Sequence, residues 1–69
     1  MARKQEHLTV DDQKILTVKQ WAELNAISLW SAKKLIREGN GPRVVQLGER
    51  RIGIRVIDNA RWQERRIRD

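Results

Sequence analysis

The chain has 69 residues, 35 % of them charged and 39 % hydrophobic, with no cysteine and a net charge of +6. A chain of this size makes one small domain that buries only about 60 % of the surface its unfolded form exposes. The composition excludes a disulfide framework and a thiolate metal site. No apolar run reaches the length of a secretory signal or a membrane span, so a cytoplasmic, nucleoid-associated protein with no membrane partner is expected.

In chain order, residues 1–13 are polar with scattered apolar positions and read as a flexible N-terminal arm. A single domain is expected over 14–69, its compact part beginning near Ile15. Thr17 followed by Gln20 fits a capping box. Behind it Val18, Trp21 and Ala22 share one helical face, opposite Lys19, Gln20 and Glu23. This helix should end near Leu24 or Asn25. Asn25-Ala26-Ile27 then leads into Ser28, which caps a second helix over 29–38, and Gly39 supplies the left-handed residue that ends it. Leu29, Ala32, Leu35 and Ile36 form the buried stripe of that helix, while Trp30, Ser31, Lys33, Lys34 and Arg37 lie away from it.

After Gly39-Asn40-Gly41-Pro42 the period changes from 3.6 to 2. Val45 and Leu47, then Ile52, Ile54 and Val56, alternate with polar residues or glycine, so a hairpin over 45–56 is expected with its turn at Gly48-Glu49-Arg50-Arg51. Asp58 is read as the cap of a last helix from about Asn59 to Arg66. The expected fold is mainly α with one β-hairpin, ordered helix-helix-hairpin-helix: a winged helix-turn-helix in small form.

Charge is not spread evenly along these elements. Between Ser28 and Arg55, seven cations face only Glu38 and Glu49, so this block holds five of the six net positive charges. Such concentration is the footprint of a polyanion partner, here double-stranded DNA. Ser31 and Lys33 are expected nearest the base edges of a major groove, with Lys34 and Arg37 nearer phosphate. Arg50 and Arg51 at the hairpin tip suit a minor groove or its flanking phosphates, or else guard the edge strands against pairing with another chain. Thr17, Lys19, Ser28 and Arg43 complete the candidate DNA-contact set, Thr17 and Ser28 serving also as caps. Trp30, lying among lysines, either meets sugar, a thymine methyl or a neighbouring protomer, or folds over the turn to cover Ile27. Trp21 is expected in the core.

Leu16-Thr17, Ala22, Leu24 and Ser28, then Leu35-Ile36-Arg37-Glu38-Gly39, then Pro42 and Leu47-Gly48-Glu49-Arg50 form an ordered series. Over about Leu16 to Trp62 it resembles the small winged-helix DNA-binding proteins of the AlpA and excisionase type, relatives of the MerR-like domain. Trp30 departs from the small polar residues or arginine common at that place in the family, and Asp58-Asn59-Ala60-Arg61-Trp62 departs from its usual entry to the last helix. The resemblance implies a core role for Trp62 and a mobile-element protein. One form is an excisionase, or recombination directionality factor, that bends attachment-site DNA with copies of itself on adjacent sites and with an integrase. The other is an AlpA-like transcriptional regulator of element genes.

A protein-interaction adaptor is the alternative from another class, docking through Trp30, Trp62 and the arginine-rich end. RNA is disfavoured because no aromatic stacking platform is present. His7 stands without ligand spacing to Glu6, Asp11 or Asp12, so no metal or other cofactor is expected. No nucleophile–base set and no phosphate-cradling glycine loop appears, so neither an enzyme nor a small-molecule substrate is expected.

Overall fold

The computed structural model describes residues 8–68. Three helices and a three-stranded antiparallel sheet follow one another as β1 (Ile15–Leu16), α1 (Val18–Leu24), α2 (Leu29–Arg37), β2 (Val45–Gln46), β3 (Ile52–Arg55) and α3 (Val56–Arg65). The sheet order is β1-β3-β2, with Leu16 opposite Ile54 and Val45 opposite Gly53. The class is therefore mixed α and β, and the helix-helix-hairpin-helix order gains a strand in front of α1.

Local chemistry explains where the helices start. Thr17 accepts the Gln20 amide at 3.0 Å while its own amide donates to Gln20 Oε1 at 2.9 Å, closing the capping box on α1. Ser28 accepts the Ser31 amide at the head of α2.

Both helices end in the same way. At the end of α1 the Ile27 amide donates to Ala22 and the Ala26 amide to Glu23; at the end of α2 the Asn40 amide donates to Leu35 and the Gly39 amide to Ile36. These are two Schellman motifs. Their left-handed residues are Ala26 (φ 58°) and Gly39 (φ 78°).

Three boundaries differ from expectation. Within the segment read as an arm, Thr9 and Asp12 cap each other in a turn, and the Ile57 amide donates to the Asp12 carbonyl, linking that turn to the start of α3. Residues 1–7 of the expected arm, His7 among them, lie outside the described residues. The hairpin turn falls at 48–51 as expected, closed by the Leu47 amide on the Arg51 carbonyl, but Val56 opens α3 instead of continuing β3. Asp58 is consequently not a cap. It sits in the first turn of α3, buried, and its carboxylate receives Arg55 Nε at 2.7 Å and Nη2 at 3.2 Å.

The core is Trp21, Ala22, Ala32, Ile54 and Trp62, with Leu16, Val18, Ile27, Leu35 and Ile36 packed around it. The two indoles meet edge to face at 5.0 Å between centroids, an arrangement favoured by the ring quadrupoles. Both ring N–H groups are satisfied, Trp21 by Asn59 Oδ1 at 2.9 Å and Trp62 by the Asn40 carbonyl at 2.8 Å. The second bond ties α3 to the loop that follows α2. Gly53 lets β1 lie close on β3, since a Cβ there would overlap the Ile15 Cγ2 methyl and come within 3.2 Å of the Leu16 carbonyl oxygen.

Candidate nucleic-acid interface

Pairing of β1 with β3 decides where the hairpin lies. Leu16 faces Ile54, so one residue further on Thr17 and Val18 come alongside the start of β3 and the turn before it. α2 packs on α1 and turns Lys33 toward the same place. The result is an open cleft of about 380 Å³ lined by Thr17, Val18, Lys33, Ile36, Arg50, Arg51 and Ile52. Its floor is aliphatic and its rim is cationic. Such a rim offers charge-assisted hydrogen bonds to anionic oxygens.

Around α2, successive residues step by about 100°. Lys33 therefore flanks the cleft side, while Trp30, Lys34 and Arg37 point away from buried Ala32 and are exposed. Lys34 Nζ lies 5.1 Å over the Trp30 ring, and Trp30 is 67 % exposed. Trp30 therefore points outward, into solvent. Ser31 lies on the other flank, half-buried, its hydroxyl accepting from Ser28 Oγ at 3.0 Å. Ser31, expected nearest base edges, thus has its hydroxyl engaged with Ser28.

Among the described residues no carboxylate pairs with Lys33, Lys34, Arg37, Arg50 or Arg51. Arg55 is the opposite case. Its hydrogen bonds to Asp58 raise the guanidinium pKa above its ordinary value, with charge attraction adding to this and partial burial opposing it. Arg55 is thus held within the fold as half of an ion pair.

Of the remaining expected contacts, Lys19 is exposed on the first turn of α1 beside the cleft lining, and Arg43 is exposed between Pro42 and β2, outside the cleft. The structure brings Thr17, Lys33, Arg50 and Arg51 together. It leaves Trp30, Lys34 and Arg37 on the adjoining outward face of α2, while Ser28 caps that helix and hydrogen-bonds to Ser31.

Sequence reasoning missed Val18, Ile36 and Ile52 as the cleft floor. Their apolar periodicity marked them for the core, and only the strand pairing shows that they border an opening. A second, smaller cleft of about 270 Å³ is lined by Gly39, Asn40, Gly41, Trp62, Arg65 and Arg66. There Arg66 stacks over Trp62 at 5.0 Å, and both arginines sit at the C-terminal end of α3, where cations offset the helix dipole. Trp62 is only 7 % exposed, so it is withdrawn from the adaptor surface imagined for Trp30, Trp62 and the arginine-rich end.

Among the described residues no group of three or more His, Cys, Asp or Glu side chains is placed to hold a metal ion, and no helix is long and apolar enough to cross a membrane. No family model, no curated protein and no solved structure matches the chain.

Proposed function

We propose that this protein is a winged helix-turn-helix binder of double-stranded DNA of the excisionase type, with α2 in the major groove and the β2–β3 hairpin as a wing beside it. The observation that carries this reading is the convergence of Lys33 with Arg50 and Arg51 on one cleft, next to the outward face of Lys34 and Arg37. Cations without carboxylate partners on two adjoining elements match phosphates spaced along a duplex. Single modules of this kind bury about 600–1,000 Å² of their own surface on DNA. Tight binding then needs copies on adjacent sites, as bending of attachment-site DNA beside an integrase also does.

The test is duplex binding followed by fluorescence anisotropy across a salt series. Affinity is expected to fall by about 0.9 log units per log unit of salt for each phosphate contacted. Lys34→Ala should weaken all sequences alike, and Lys33→Ala should narrow the gap between specific and random duplexes. A flat salt response that neither variant changes would sink the proposal. Footprints phased within an attachment site would mark a directionality factor, whereas protection over a promoter would mark an AlpA-like regulator of element genes.

A further inference from the structure

We infer that Trp30 is a specificity-determining residue that reads the methyl group of thymine in the major groove; the inference rests on the DNA-binding reading above. Trp30 lies in the first turn of α2, and the first turn of a groove-bound helix is the part that approaches base edges. The polar side chains of that turn are already engaged. Ser28 Oγ accepts the Ser31 amide and donates to Ser31 Oγ, both at 3.0 Å. What the turn presents outward is an indole.

An exposed indole at this position is not explained by packing. Trp21 and Trp62 occupy the core, whereas Trp30 leaves 67 % of its surface in solvent. Its neighbours on the outward face are Lys34 and Arg37, with Lys33 on the flank, so any partner of this face must be acidic. A duplex groove is an acidic surface that also offers an apolar feature. Among the base-edge groups of the major groove, the C5 methyl of thymine is the apolar one that projects toward a side chain. Lys34 Nζ sits 5.1 Å over the ring, an exposed cation–π contact. Lys34 then stands beside the base contact, placed to reach phosphate.

Uracil keeps thymine's hydrogen-bonding edge and lacks the methyl, so exchanging one for the other isolates the contact. A duplex is first selected from a randomised pool by the wild-type protein. Each thymine in the protected region is then replaced by uracil in turn. At one or two positions the affinity is expected to fall about three- to fivefold, the transfer free energy of one methyl-sized group, with the salt slope unchanged. The Trp30→Ala protein should bind the thymine and uracil duplexes alike while keeping that salt slope.

A wild-type protein indifferent to every replacement overturns the inference, as does a selected site without thymine. So does a Trp30→Ala protein that still discriminates. In each of these cases salt-dependent duplex binding persists and the DNA reading stands. If no duplex binds with a salt-dependent affinity, the DNA reading falls and the inference with it. Thermal denaturation checks that Trp30→Ala stays folded, as an exposed position should.

Discussion

The indole N–H of Trp21 is held out of water, and its partner is Asn59 Oδ1, which lies 38 positions further along the chain and also accepts Asn25 Nδ2 at 2.9 Å. Asn25 in turn donates to the Trp21 carbonyl and accepts from Gln63, so one buried amide locks α1 to α3. Replacing Asn59 with alanine leaves the Trp21 donor without a partner, a penalty of about 1–3 kcal/mol before any packing loss. A 69-residue domain has roughly 3–10 kcal/mol in total. Asn59→Ala is therefore expected to lower the unfolding midpoint in urea strongly, with little change in slope. An unchanged midpoint would show that water replaces the amide at no cost. Nothing in the sequence singles out this asparagine, because its two donors come from a helix some thirty-five residues earlier. Trp30, by contrast, is marked by its angle to Ala32 and Leu35 along α2, although the sequence leaves open whether its ring folds back over Ile27.

At the level of elements, the ends of α1 and α2 share one motif but fill its left-handed position differently, with Ala26 and with Gly39. An L-residue with a Cβ in that region is strained by roughly 1–2 kcal/mol, partly offset in exchanges with glycine by glycine's greater unfolded-state entropy. Ala26→Gly is thus expected to stabilise the fold by about 0.5–1 kcal/mol. Gly39→Ala is expected to destabilise it by a similar amount, purely through the backbone, since a Cβ at Gly39 meets nothing within 4 Å. Opposite shifts in melting temperature check the pair, and shifts of the same sign refute it. The caps of α1 and α2, the α2 stripe at Ala32, Leu35 and Ile36 and the hairpin turn were readable because each is fixed by residues three or four apart. Leu29, expected in that stripe, is instead 40 % exposed at the start of the helix. Strand β1 was not readable, since two residues carry no period and its place depends on Gly53 admitting Ile15 from far away in the chain. The start of α3 was misplaced for a related reason. Asp58 looks like a cap locally, but Arg55 claims its carboxylate and the helix begins three residues earlier. The candidate site follows the same division: the cations were visible as a cluster in the sequence, whereas the cleft that gathers some of them depends on β1.

At the scale of the whole molecule, a thin stability margin and a partner bound through charge become one measurement. A ligand that binds the folded state alone stabilises it by RT ln(1 + [L]/Kd), about 2.7 kcal/mol at a hundredfold excess over Kd. For a domain of 60–100 residues each kcal/mol moves the melting temperature by about 4–8 °C, so saturating duplex at low salt is expected to raise it by about 10–20 °C. Five cations, Lys33, Lys34, Arg37, Arg50 and Arg51, have no carboxylate partner among the described residues. If each neutralises one phosphate, raising salt from about 50 to 200 mM weakens binding by roughly 500-fold. The same duplex concentration then falls below Kd and the rise in melting temperature should all but vanish. The triple change Lys33→Gln, Arg50→Gln, Arg51→Gln removes three of the five and should flatten the salt dependence by more than half, leaving the DNA-free melting temperature nearly unchanged because all three side chains are exposed. A duplex-induced shift that ignores salt, or that survives the triple change intact, would place the contact on some other surface of the molecule.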